Sequence, residues 1–166
     1  MTEHQTLSHK AKSKNRGPAP GTPVFCDVIA ETVSGSVQFT HEWRWGEHGS
    51  NQGKGTIDVP QRKPKEPGTP LHFNLVDRTS PKRHLAFFEN QGVAMWVLRD
   101  TCPSEANRCD DPEIPVNQMQ VTATVLKALD LNDEECSLHY RLWFVGRDGK
   151  IESYDPDIRN GGKTMF

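Results

Sequence analysis

The sequence is poor in the features that most enzymes and membrane proteins display. It has no uncharged apolar run near the roughly 18 residues needed to cross a bilayer as a helix, so no membrane partner is expected. Met1 to Gly21 contains one Leu and no apolar stretch. It does not read as a secretory signal, and a cytoplasmic, reducing location is the expectation. The motifs G-x-S-x-G, H-E-x-x-H and G-x-G-x-x-G are all missing. The chemistry each would support, an elbow nucleophile, a zinc hydrolase and a dinucleotide fold, loses its sequence basis.

Two fragments echo a phosphate loop, Gly53-Lys54-Gly55-Thr56 and Gly161-Gly162-Lys163-Thr164. Such a loop needs a set of backbone amides opening onto a helix. The first fragment lacks the spacing and leads into a strand, and the second stands two residues from the end. Neither is expected to hold a nucleotide, and no cofactor is expected.

Apolar residues are also scarce. Ile, Leu, Val and Phe number 34 among 166, close to the roughly 20% at which highly charged chains stop folding. Net charge is only −2, however, with 20 Lys and Arg against 22 Asp and Glu. Residues 1 to 22 account for part of the shortage: they carry Lys10, Lys12, Lys14 and Arg16, then Pro18 and Pro20, and have almost nothing to bury. This stretch reads as a disordered basic tail, with a single domain over residues 23 to 166.

Within that domain the apolar residues alternate. Val37, Phe39, His41, Trp43 and Trp45 fall on one parity and Gln38, Thr40, Glu42 and Arg44 on the other, a period of two that marks a half-buried strand. Gly55 to Val59 reads as the returning arm of a hairpin with it. Leu71, Phe73 and Leu75 form another strand. Leu85 to Phe88 and Val93 to Leu98, flanking Glu89-Asn90-Gln91-Gly92, suggest a hairpin whose second arm, apolar on both faces, would be central. Met119 to Val125 alternates again, with a short helical turn conceivable over residues 126 to 135. Leu138 to Val145 and Lys150 to Ser153 are joined through Asp148-Gly149, a strong turn signal. Seven to nine strands and no convincing long helix predict an all-β protein, an antiparallel β-sandwich of immunoglobulin-like or related type, with a small barrel as the alternative.

Four cysteines are present, Cys26, Cys102, Cys109 and Cys136. Six residues lie between Cys102 and Cys109, outside the two-to-four usual for a structural zinc knuckle. Free thiols are the first reading, and a loop disulfide between Cys102 and Cys109 is the second. Cys136 with His139 lacks the methionine that a blue-copper site would use. His41 lies on an apolar strand face, where a satisfied core imidazole is the ordinary expectation; a site assembled from His41, His48 or His139 needs ligands to converge in space. Carboxylates cluster at Asp110, Asp111 and Glu113 and at Asp130, Asp133, Glu134 and Glu135. They lack the glycine and spacing of a calcium loop and read as solvated loops.

One stretch presents contact groups. If Leu138, Tyr140, Leu142 and Phe144 face the core, His139, Arg141 and Trp143 line the outside of the same strand, and Arg and Trp are enriched where partners bind. Residues 1–83 carry a net +4 and residues 84–166 a net −6. The basic runs, such as Arg62-Lys63-Pro64-Lys65 and Lys82-Arg83, come without a recognition helix or stacking platform, which argues against nucleic acid. The ending Tyr154-Asp155-Pro156-Asp157-Ile158-Arg159-Asn160-Gly161-Gly162 resembles that of small uncharacterised bacterial β-sandwich proteins finishing D-P-x-I-x-N-G-G; the resemblance implies a fold and no activity.

The expectation is therefore a soluble β-sandwich that binds an unidentified protein partner through His139, Arg141 and Trp143 and does no catalysis. A metal-dependent enzyme or sensor built from loop carboxylates and histidines is the first alternative. Self-assembly through strand edges into a homo-oligomer is the second.

Overall fold

The computed structural model describes residues 18–99, 113–133 and 136–160. Its first sheet starts with β1 (Val24–Val33) and β2 (Ser36–Trp45), paired antiparallel from Val24↔Trp45 to Val33↔Ser36. The two-residue turn between them is Ser34-Gly35, with φ of 50° and 80°. Both residues are left-handed, the twist that suits a tight hairpin, and glycine adopts it at no steric cost. The alternation read from the sequence places Val24, Cys26, Val28 and Ala30 of β1 against the interior.

Two short strands follow. β3 (Asn51–Gly53) pairs with the end of β2, and β4 (Ile57–Val59) leaves for the other sheet. β5 (Thr69–Arg78) returns beside β1 and runs parallel to it, from Val24↔Leu71 to Glu31↔Arg78. The intervening segment is long enough for the crossover that parallel pairing demands.

β6 (Ala86–Phe87), a single helical turn α1 (Gln91–Ala94) and β7 (Met95–Arg99) come next. β8 (Gln120–Val121) and β9 (Val125–Asp130) then complete the first sheet in the order β3-β2-β1-β5-β9-β8.

The second sheet is organised around β10 (Cys136–Val145). β6 and β7 lie along one side of it, antiparallel. Along the other side run β11 (Ile151–Tyr154) and β12 (Asp157–Asn160) in one unbroken register, Leu142↔Tyr154 continuing to His139↔Asp157. Pro156 separates them because its nitrogen has no hydrogen to give the ladder. β4 pairs with β12 in parallel. The β10–β11 turn holds Gly149 at φ 77°.

The β-sandwich expectation holds: two sheets pack face to face and do not close into a barrel. The sheets are mixed where purely antiparallel ones were expected, because β1·β5 and β4·β12 are parallel. Twelve strand segments appear among the described residues, against the seven to nine expected, several of them only two or three residues long.

Other local expectations are corrected. Ile57–Val59 forms no hairpin with β2; Pro60 ends it after three residues, and its two buried apolar residues fill the opposite sheet. β6 and β7 do not pair with each other either. Asn90 caps α1 instead, its side chain accepting from the Gly92 amide at 3.0 Å, and the two strands join β10 in turn. β10 is thus the central strand. β7 is apolar on both faces because Met95 and Val97 enter the core while Trp96 packs outside on Trp143. A turn occupies 122–124, where Thr122 bonds to Val125, and residues 125–130 are strand rather than helix. Asp155 and Pro156 join β11 to β12, and Ile158 beyond them is fully buried. Residues 1 to 17 of the expected tail, and both Cys102 and Cys109, lie outside the described residues.

The core is filled by Phe73, Leu71 and Val28 from the first sheet and by Leu138, Tyr140, Leu142 and Phe144 from β10. Phe144 stacks on Phe39 across the sandwich with ring centroids 4.9 Å apart and touches Phe87 at 4.8 Å. Burying one such ring stabilises by about 1.5–3 kcal/mol.

Beyond β5 the chain folds around one carboxylate. Asp77 accepts from the Thr79 amide at 2.9 Å, the Thr79 hydroxyl at 2.6 Å and the Leu85 amide at 2.9 Å. Partial burial tends to raise its pKa, but those hydrogen bonds and Lys82 outweigh it and hold the carboxyl below the usual 3.8. A depressed carboxylate stabilises the fold above its unfolded pKa, and the contribution disappears as pH falls through the folded one. Asp77→Asn should therefore be less stable than wild type at neutral pH, with the gap closing below about pH 4. Urea midpoints measured from pH 7 to pH 2.5 would show a constant gap if Asp77 does not carry this dependence.

Candidate functional site

The outer face of the second sheet brings together the three residues singled out in the sequence. His139, Arg141 and Trp143 occupy successive outward positions of β10, each half-buried, while Leu138, Tyr140, Leu142 and Phe144 are fully buried behind them. The period of two makes this inevitable once one parity is committed to the core.

Cross-strand register then determines their neighbours. His139 lies opposite Asp157, and its Nδ1–H donates to the Asp157 carboxylate at 2.7 Å. Arg141, in the same register opposite Asp155, grips that carboxylate with two bonds, Nε at 2.5 Å and Nη2 at 2.7 Å. Such fork-to-fork pairing fixes the plane of a guanidinium as well as its position. That plane sits over the Trp143 ring, with Cζ 5.6 Å from the centroid, within the range of a cation–π contact. Trp143 in turn packs on Trp96 of β7, centroids 4.8 Å apart and planes inclined at 55°. The Trp143 indole N–H has no hydrogen-bond acceptor among the described residues. The sequence reading missed the partners Trp96, Asp155 and Asp157, since only strand pairing makes them adjacent.

The first sheet carries a second outward cluster that the sequence reading did not find. Phe25 meets His72 edge-on at 4.6 Å, the Arg44 guanidinium lies 5.5 Å from the Phe25 centroid, and Arg44 Nη1 bonds Asp27 at 2.9 Å. Asn74 donates to the other oxygen of Asp27 at 3.2 Å. Partial burial and then the charge of Lys127 lower the His72 pKa, against a weaker pull from Glu47. The available signal was Phe25, an aromatic next to Asp27 on the parity of β1 opposite Val24, Cys26 and Val28.

The other candidate ligands do not converge. His41 is buried and committed at both nitrogens: Nε2 donates to the Gly55 carbonyl at 2.7 Å, so Nδ1 accepts from the Tyr154 hydroxyl at 2.5 Å. Burial, and then the nearby Cys26, push the Tyr154 phenol up to about 12, so it keeps its proton. His48 is exposed on the loop after β2. Cys26 is buried, and desolvation raises its thiol far above the reactive range. Among the described residues no group of three or more His, Cys, Asp and Glu side chains could hold a metal ion.

The acidic segments match the expectation only in part: Asp133 is exposed, and Asp110, Asp111, Glu134 and Glu135 lie outside the described residues. Glu113 and Asp130 are buried rather than solvated. Glu113 accepts from the Asp133 amide at 2.8 Å, and Asp130 from the Asn132 amide at 3.0 Å, so these carboxylates organise the chain leaving β9.

Two surface hollows lie among the described residues. One, of about 110 Å³, lies between Trp45, Pro18, Pro60 and Pro67, below the roughly 300 Å³ at which drug-sized ligands are accommodated. The other, of about 420 Å³, is lined by Lys82, Arg83, His84, Arg147 and Asp148. Arg83 there is engaged by Asp148 and Glu152.

No family model matches the chain, and comparison with curated proteins finds no match. No helix among the described residues is long and apolar enough to cross a membrane.

Proposed function

We propose that the domain is a non-catalytic binding module that engages a protein partner, in the cytoplasm, through the outer face of its second sheet. The observation that carries this reading is the Trp96–Trp143 pair with Arg141 laid over it and held there by Asp155. Trp and Arg dominate the energetics of protein interfaces when they are rigid before binding, because little side-chain entropy then remains to be lost. Here the rigidity comes from cross-strand pairing. His139 and Asp157, more exposed at 31% and 49%, border the cluster as a polar rim.

The chemistry of the face suits a partner that offers an apolar side chain to the half-buried Trp143 ring. Arg141→Ala and Trp143→Ala, each checked for native circular dichroism, should lose a protein that the wild-type chain captures from its native lysate. If both folded variants retain the same captured protein as wild type, the face is not the contact site.

A further inference from the structure

The edges of the two sheets differ in how open they are. β3 and β4 have three residues each, and β4 ends at Pro60; β8 has two. β11 has four and runs into Asp155-Pro156-Asp157, and β7 ends on Arg99. Short length, proline and charge are the usual means by which an edge is made unattractive to another strand.

β2 is different. It pairs with β1 along all ten residues, but on its other side β3 reaches only Trp43 and Arg44. Lys54 and Gly55 then pass beside it, Lys54 bonding Glu42 at 3.3 Å and Gly55 bonding His41. From Ser36 to Thr40 no described strand lies alongside.

That open stretch is Ser36-Val37-Gln38-Phe39-Thr40. It has no charge, no proline, no glycine and no bulge, and it contains residues that favour strands. Ser36, Gln38 and Thr40 are exposed, while Val37 and Phe39 are half-buried at the border of the core. It is held straight by the ten-residue ladder behind it, so adding a strand requires no ordering of this side.

We propose that Ser36–Thr40 is a strand-addition edge whose occupant is the same edge of a second copy of this chain, paired antiparallel about a two-fold axis at Gln38. A two-fold contact must be complementary to itself, and this one is. Ser36 falls opposite Thr40 of the second copy, Val37 opposite its Phe39, and Gln38 opposite Gln38. Polar residues thus meet polar ones on the outer face, where the two glutamine amides can bond each other, and apolar residues meet on the inner face. No like charges are brought together, since Glu42, the nearest charge on β2, lies beyond the paired stretch and faces Lys54 of its own chain. The six-stranded first sheet would continue into a twelve-stranded one. Five residues per chain make a small interface, so association should be weak and depend on concentration. This inference is independent of the proposed contact face, which lies on the other sheet.

Sedimentation velocity of the full chain over a wide concentration series tests it. The wild type should shift from its 18.7 kDa mass toward twice that value as concentration rises. Gln38→Lys and Gln38→Glu should each remain monomeric, and an equimolar mixture of the two should recover the dimer. Hydrogen exchange at residues 36–40 in the wild type should slow in parallel. A wild type that stays monomeric throughout overturns the proposal, as does a Gln38→Lys variant that associates like wild type through some other surface.

Discussion

Asn132→Asp should destabilise the domain by about 3–5 kcal/mol, a large share of the total stability of an ordinary domain. Asn132 follows β9 of the first sheet, is 1% exposed and sits at φ 49°, a left-handed conformation that asparagine tolerates. Its side-chain Nδ2 gives one hydrogen to the Val59 carbonyl at 3.2 Å and the other to the Pro60 carbonyl. Both acceptors terminate β4 in the second sheet. Its own carbonyl accepts from the Arg62 amide at 3.2 Å. One buried amide thereby ties the sheets together at this end. Aspartate has the same shape but only acceptors, so it would present a carboxylate to two carbonyl oxygens. Asn132→Ala should cost less, about 2–3 kcal/mol, because it strands the two carbonyls without adding charge. Urea denaturation at pH 7 measures both, and an Asp variant no less stable than the Ala variant contradicts the donor role.

His41→Leu should cost about 1–3 kcal/mol. The imidazole links three segments: its own strand β2, the Gly55 carbonyl before β4, and the Tyr154 hydroxyl on β11. Leucine fills similar space and deprives both partners of the bond, Tyr154 being half-buried and Gly55 exposed. Adding Tyr154→Phe to His41→Leu should recover about 1 kcal/mol, since it removes one of the two orphaned groups. Tyr154→Phe alone should be destabilising, because it strands Nδ1. Tyr140→Phe is the control: that hydroxyl is fully buried with no partner among the described residues, so its removal should leave stability unchanged or raised. Thermal and urea unfolding of the five proteins complete a double-mutant cycle. Additive effects of His41→Leu and Tyr154→Phe would show that the bond between them contributes nothing.

Much of the fold was legible because burial imposes a period of two on a strand. β2, β5, β10 and the Asp148-Gly149 turn could be read directly, and so could the outward parity of His139, Arg141 and Trp143. Pairing was not legible. Ile57–Val59 follows β2 closely and looked like its hairpin partner, yet its two buried residues are needed in the other sheet. β6 and β7 flank a glycine-containing tetrapeptide, yet Asn90 starts a helical turn there.

The candidate site divides along the same line. Its three β10 residues could be named from alternation alone, whereas Trp96, Asp155 and Asp157 enter only through strand register. The carboxylates of Glu113 and Asp130 were read as solvated because charge ordinarily faces water. Backbone amides leaving β9 supply their partners, and no sequence pattern announces that.

By itself the sequence determined the class of the protein. Its scarcity of long apolar runs, its alternation and its turn residues admit a β-sandwich and little else, since each is a local consequence of burying one face of an extended chain. Tertiary structure alone decided which strands meet. It made β10 central, ran β5 parallel to β1, joined the sheets through His41 and Asn132, and left β2 open from Ser36 to Thr40. Those outcomes depend on contacts between residues far apart in the chain, whose free energies compete globally and leave no local signature.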